Sequence, residues 1–293
     1  MHEHLNPEVA QALELTTAER IEFCQTDRWI GYTRAQQIVK QLDDLFAYPK
    51  SLRMPNLLLV GRSDNGKSSI LQHFVRRHPI MMREDGSPSP FVLWIAMPAM
   101  PTESSFWSEL LWSLNIQHRE RDTPEKKRRQ AFDAMEYASV RMLAIDEFNH
   151  LVNAGKDAGR LLSAIKNVSS ALRLPIVASG TPAAMHALSK DPQMSTRFEA
   201  TALDRWKVNK EYLRFLASYE TFLPLAEPSN LASRELAPTI YGMAGDTIGG
   251  TVKLLKNAAT YALTTGRERI DAGVLTSMNH LRAGQWDEVA GRL

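Results

Sequence analysis

From Leu57 to Ser69 the chain reads Leu57-Leu58-Leu59-Val60-Gly61-Arg62-Ser63-Asp64-Asn65-Gly66-Lys67-Ser68-Ser69, and no other stretch limits the fold as tightly. An unbroken apolar run of strand length meets Gly-x-x-x-x-Gly-Lys-Ser, after which Ile70, Leu71, Phe74 and Val75 recur at helical spacing. Strand, glycine-bounded loop and helix in that order form the context a phosphate-binding P-loop requires. Gly61 and Gly66 let the backbone turn where a Cβ would clash. Successive N–H groups across Asp64, Asn65 and Gly66 and on to Ser69 can then point at phosphate oxygens. In this reading Lys67 reaches the β- and γ-phosphates of ATP, the Ser68 hydroxyl ligates Mg²⁺, and the helix beginning near Lys67 adds its positive end.

A second chemical signal is Arg141-Met142-Leu143-Ala144-Ile145-Asp146-Glu147, an apolar strand ending in two acids. Asp146 at the carboxyl end of a parallel strand can hold the water shell of Mg²⁺, and Glu147 can polarise the water that attacks the γ-phosphorus. An apolar run before Asp-Glu is weak evidence alone. It gains weight because one further strand, Phe91 to Met97, separates it from the P-loop. Leu174 to Thr181 reads as a fourth strand with small hydroxyls at its end. Ser179 or Thr181 is a candidate for the polar group that senses the γ-phosphate or attacking water, with a turn and a helix cap at Thr181 as the competing reading. Arg197, in Ser195-Thr196-Arg197-Phe198, is a candidate to stabilise charge in a neighbouring subunit's nucleotide, or else a local ion-pair partner.

Around this core the chain divides into an N-terminal helical segment (1–50), an α/β nucleotide-binding domain (51–208) and a C-terminal helical lid (209–293). Ahead of the P-loop, Trp29, Ile30 and Tyr32 either cover the nucleotide base or pack a helix onto the core. Asp85-Gly86-Ser87-Pro88 is a turn. The run Glu120 to Gln130 opens a charged helix whose cations, Lys126, Lys127, Arg128 and Arg129, either meet nucleic-acid phosphates or form a solvated face. Beyond residue 208 strands stop and helices follow, with Lys253 near the start of one of them. The 293 residues carry a formal charge of only +2, so a nucleic-acid surface must be local. Cys24 is the one cysteine, which excludes an intramolecular disulfide and a cysteine-rich zinc site. With no long apolar span and no signal-peptide pattern, the expectation is a cytoplasmic protein without membrane contact.

The ordered set of P-loop, Asp-Glu box, Ser/Thr-ended strand, Ser-Thr-Arg-Phe and helical lid resembles the AAA+ ATPases. Within them, Ile145-Asp146-Glu147-Phe148-Asn149-His150 and Ala178-Ser179-Gly180-Thr181-Pro182 resemble the TniB/TnsC family of transposition regulators. The resemblance implies an α/β P-loop NTPase with a parallel sheet, flanking helices and a small C-terminal helical lid. It also implies ATP-driven oligomerisation, as a filament or ring, on double-stranded DNA without sequence preference. Recruitment of a DDE-type transposase and contact with a TniQ-like targeting protein come with it, and slow hydrolysis drives disassembly. Carried onto this chain, Lys67 and Ser68 bind phosphate and Mg²⁺, Asp146 and Glu147 are the acidic pair, Thr181 or Ser179 is the sensor and Arg197 the finger. Lys253 stands where relatives carry an arginine; a lysine supplies charge but not the planar fork. DNA contacts implied on the pore side fall on Thr102, Lys126, Lys127, Arg128 and Arg129. Two other readings share these motifs. One is an AAA+ helicase loader, replication initiator or secretion-system ATPase; the other is a nucleotide-gated scaffold whose turnover is incidental.

Overall fold

The computed structural model describes residues 2–278 apart from 87 and 190. Ser87, inside the expected turn, and the end of the expected lid beyond residue 278 lie outside the described residues. The N-terminal part holds α1 (Pro7–Gln11), α2 (Thr17–Gln25) and α3 (Thr33–Phe46). Then come β1 (Asn56–Gly61), α4 (Lys67–Arg76), the short strands β2 (Met81–Met82) and β3 (Pro88–Ser89), β4 (Val92–Ala96), α5 (Glu103–Ser113) and α6 (Pro124–Tyr137). β5 (Met142–Asp146), a 3₁₀ segment (Phe148–Asp157), α7 (Ala158–Leu172) and β6 (Ile176–Gly180) follow. The chain continues through α8 (Pro182–Ser189), α9 (Pro192–Ser195) and β7 (Phe198–Leu203), and then α10 (Lys210–Glu220), α11 (Leu236–Ala244), α12 (Ile248–Thr264) and α13 (Ala272–Ser277).

Two compact units result, residues 34–204 and residues 1–33 with 205–293. This differs from the expected division at both ends. The first fifty residues are not one segment, because their apolar side chains serve two cores. Ile21, Cys24, Ile30 and Tyr32 pack with Tyr212, Phe215, Leu216 and Leu255 of the helical unit. In the α/β unit, α3 buries Ala35, Ile38, Val39, Leu42 and Leu45. It is tied there by Arg34, which donates to Ala202 O, and by Thr201, whose hydroxyl donates to Gln41 Oε1 at 3.0 Å.

In the α/β unit five parallel strands stand in the order β4-β5-β6-β1-β7. All six residues of β1 and all five of β5 and of β6 are buried, as expected for parallel strands covered on both faces. Alternate side chains serve opposite layers. Leu58 and Val60 join a core with Phe106, Trp107, Leu143, Ile145 and Ile165. Leu57 and Leu59 point the other way, and α4, which packs on β1, buries Ile70, Leu71 and Phe74. From β1 the chain crosses to the far edge at β4, whereas from β6 it passes to the opposite edge at β7. The carboxyl ends of β1 and β6 therefore flank a switch point, where open α/β sheets bind ligands. The antiparallel pair β2–β3, turned by Gly86 at φ 77°, was not anticipated as strand.

In the helical unit α2 starts on a capping box. The Thr16 side chain accepts from Glu19 N, and the Glu19 carboxylate accepts from Thr16 N. Arg20, nearly buried, donates to Pro224 O and to the Glu268 carboxylate, which also accepts from Ala226 N and is held below the usual carboxylate range chiefly by the Arg20 hydrogen bond. That cluster stitches the N-terminal helix to the chain two hundred residues on, a span no local pattern reveals.

Candidate functional site

The residues with phosphate chemistry meet at the carboxyl ends of β1, β5 and β6. Gly66, at φ 83°, is in the left-handed region that glycine enters without penalty and forms the N-cap of α4. Gly61 is needed for another reason, since a Cβ there would stand 3.1 Å from Leu203 Cβ and 3.6 Å from Lys67 Cδ. Lys67 opens α4, is 8% exposed, and donates through Nζ to Arg62 O at 2.7 Å, spanning the loop from inside. Burial lowers its pKa, while Glu147, Asp146 and Asp64 oppose that shift by stabilising the ammonium. Asn65 is buried. Its Nδ2 donates to Leu203 O at 3.1 Å and Asp204 O at 3.0 Å, anchoring the loop to the end of β7, while its buried Oδ1 finds no hydrogen-bond partner among the described residues.

Opposite the loop, Asp146 is 5% exposed, and its Oδ1 accepts from Glu147 N at 2.9 Å and from the Ser179 hydroxyl. Ser179 is fully buried and so braces Asp146 from β6. Glu147 has φ 53°, a left-handed conformation uncommon for a side chain of its size, and such residues cluster at functional sites. Its side chain is 50% exposed, with Asn149 Nδ2 donating to Oε2 at 3.2 Å. Thr181 follows β6 and donates through its backbone N–H to Asn149 Oδ1 at 3.2 Å.

The donors suit a nucleoside triphosphate with Mg²⁺. Ser68 and Asp146 offer hard oxygen ligands, Lys67 is a cation held inside a backbone loop, and α4 begins there. Among the described residues no cluster of three or more His, Cys, Asp or Glu could hold a metal alone.

Other expected site residues are carried by other elements. Arg197 precedes β7 at the amino end of the sheet, where its carbonyl accepts from Asn56 N, and its guanidinium donates to Ser170 Oγ at 3.0 Å. Trp29, Ile30, Tyr32 and Lys253 belong to the helical unit. Tyr32 there stacks edge-on against Trp206 with centroids 4.9 Å apart, and Lys253 is exposed in the second turn of α12, since that helix begins at Ile248 on a Thr247 cap. Thr102 is exposed and caps α5, accepting from Ser105 N at 3.1 Å. Lys126 is ion-paired with Asp122, and Arg128 and Arg129 are exposed. Lys127 is a correction: it is 3% exposed, and its ammonium donates to Ser104 Oγ, Ser108 Oγ and Glu120 O. An amine enclosed by those oxygens fastens α6 to α5 and cannot meet a phosphate backbone. Conversely, sequence reasoning gave Asn149 no role, although it stands two residues after Glu147 in a motif already singled out.

Comparison with known proteins agrees with this geometry. Residues 20–208 match the family described as bacterial TniB protein. No curated relative matches the chain by sequence. Similar solved structures include the Aeropyrum pernix ORC2 protein in ADPNP–ADP complexes, at 16% identity and TM-score 0.62, with 88% of this chain and 70% of that one covered. The A. pernix ORC1 protein in complex with DNA follows at 12% identity and TM-score 0.58, covering 88% and 68%. The Thermotoga maritima RuvB Holliday junction branch migration motor gives 14% identity, TM-score 0.53 and coverage of 87% and 71%. Those likenesses establish the AAA+ fold. With the family match spanning both the phosphate loop and the acidic pair, the chain belongs to the TniB family and is a P-loop ATPase of AAA+ architecture.

Proposed function

We propose that this ATPase assembles as a homo-oligomer, filament or ring, on double-stranded DNA without sequence preference while it holds ATP. The assembly engages a DDE-type transposase and a TniQ-like targeting protein, and hydrolysis ends it. The observation that carries the reading is a complete phosphate-binding and acidic constellation inside a chain of the transposition-associated TniB family.

At the site, Lys67 and the N–H groups from Asp64 to Ser69 bind and orient the phosphates. Ser68 and Asp146 would hold Mg²⁺, which would supply positive charge to offset that of the phosphates. Glu147 accepts a proton from water as its oxygen bonds to the γ-phosphorus and the bond to the ADP oxygen breaks. Thr181 stands at the end of β6 as the sensor candidate, and Ser179 acts through Asp146. Arg197 serves a neighbouring protomer's nucleotide, a role supported by its place at the amino end of β7, away from its own loop. Thr102, Lys126, Arg128 and Arg129 contact DNA phosphates, which gives affinity without sequence discrimination.

Electron microscopy of the purified chain with long duplex DNA and ATP, ADP or no nucleotide tests the reading. Ordered assemblies with ATP alone are expected. A chain that stays monomeric with ATP, Mg²⁺ and long duplex overturns it, and oligomers that form only with a protein partner favour a loader-type AAA+ role.

A further inference from the structure

Asp146 and Glu147 are neighbours in sequence with different surroundings. The first is buried and the second half-exposed. Each is referenced to the end of β6 by its own bridge. Ser179 donates its hydroxyl to Asp146 directly. Glu147 is reached through Asn149, whose amide faces both ways, with Nδ2 donating to Glu147 Oε2 at 3.2 Å and Oδ1 accepting from Thr181 N at 3.2 Å. The amide orientation is unambiguous, because a carboxylate only accepts and a backbone N–H only donates.

Two further features support this bridge. Gly180 leaves room both for Ala184 and for this bridge: a Cβ there would lie 2.8 Å from Ala184 Cβ, 3.1 Å from Asn149 N and 3.2 Å from Asn149 Oδ1. His150 belongs to the same turn, with Nδ1 2.8 Å from Met97 O at the end of β4 and Nε2 3.9 Å from Glu147 Oε2, farther than the Asn149 amide. An amide squeezed between two strand ends and touching a half-exposed carboxylate is poorly explained by packing alone.

We infer that Asn149 is a positioning residue for hydrolysis, holding the Glu147 carboxylate at a fixed place relative to the end of β6. A carboxylate on a left-handed backbone, free to rotate in solvent, would spend little time aimed at the attacking water; the amide removes that freedom. The inference rests on Glu147 being the residue that activates water, as set out above.

Asn149→Asp is the informative variant. It is nearly isosteric and still accepts from Thr181 N, but it turns the donor facing Glu147 into an acceptor. Steady-state ATP hydrolysis, binding of a fluorescent ATP analogue and thermal melting are measured for the wild type, Asn149→Asp, Glu147→Gln and the double variant. Asn149→Ser, which adds no charge, accompanies them should Asn149→Asp fold poorly. The expected result is a fall in kcat of about ten- to a hundredfold. KM and analogue affinity should stay within about twofold, and the double variant should be no slower than Glu147→Gln alone. Wild-type turnover in both Asn149 variants overturns the inference. So does a loss of equal size in the Glu147→Gln background, because that effect would not pass through Glu147. If Glu147→Gln itself turns over like the wild type, the assignment of Glu147 fails first and takes this inference with it; slow Glu147→Gln beside fast Asn149 variants overturns the inference alone.

Discussion

Two lysine-bearing regions of the α/β unit sit in similar company and do opposite things. In the phosphate loop, Lys67 is nearly buried, bonded to a backbone carbonyl, and faces the carboxylates of Asp146 and Glu147. On α6, Lys127 is also buried and bonded to neutral oxygens, within a run of cations that are otherwise exposed. Both amines are enclosed, but only Lys67 opens on a site with acids across from it and a glycine-framed backbone beside it. Burial of a cation therefore does not mark function. What separates the two is the company: carboxylates face Lys67, whereas only neutral oxygens close around Lys127.

The largest expected effects break the comparison at its functional end. Lys67→Ala removes the buried ammonium of the loop, and ATP binding should weaken roughly a hundredfold or more, read by fluorescence titration. DNA-bound assemblies should disappear with it. Retained affinity would mean the loop backbone suffices and Lys67 resembles Lys127 more than supposed. Glu147→Gln keeps the shape and removes the base. Its kcat should fall by about 10²–10⁴-fold in a steady-state phosphate-release assay while ATP still binds, so assemblies on DNA should persist longer.

At the structural end, Lys127→Met should leave ATP binding alone and lower stability. Three oxygens lose their donor, those of Ser104, Ser108 and Glu120, although Ser108 keeps its bond to His118. The cost should be about 1–3 kcal/mol in urea unfolding. If Lys127→Met instead melts like the wild type but binds DNA more weakly, the lysine leaves its enclosure in solution and belongs with its exposed neighbours.

The same contrast explains how far the sequence could be read. β1, the P-loop and the strand ending in Asp146-Glu147 were legible because their chemistry needs fixed residue types at fixed spacing on buried strands, which leaves a pattern. Ser179 stood out only as a hydroxyl at a strand end and Asn149 not at all. Their bonds to Asp146 and Thr181 span 33 and 32 residues and exist only once β5 and β6 lie side by side. The split near residue 33 was hidden for the same reason, since Ile30 and Tyr32 pack with residues near 212 while the stripe of α3 serves the sheet. On α6 the letters misled directly. One of four adjacent cations turns inward because 3.6-residue periodicity puts position 127 on the same face as Ala131 and Met135, both buried.

That periodicity also sets the smallest effect. With Lys127 facing the core, Arg128 and Arg129 are exposed neighbours on α6, and each offers a phosphate one charge with no enforced geometry. Arg128→Ala and Arg129→Ala should therefore leave thermal stability and ATP hydrolysis unchanged. Each should weaken duplex binding about equally for unrelated sequences and reduce the slope of log affinity against log salt by about 1. Measured across a salt series by fluorescence anisotropy, the two losses should add, because screened charges that share no partner act independently. A slope unchanged by both substitutions would place the DNA surface elsewhere on the unit and leave this run of cations as a solvated helix face around one structural lysine. A loss confined to one sequence would point instead to base contact, which charge attraction to the phosphates alone does not produce.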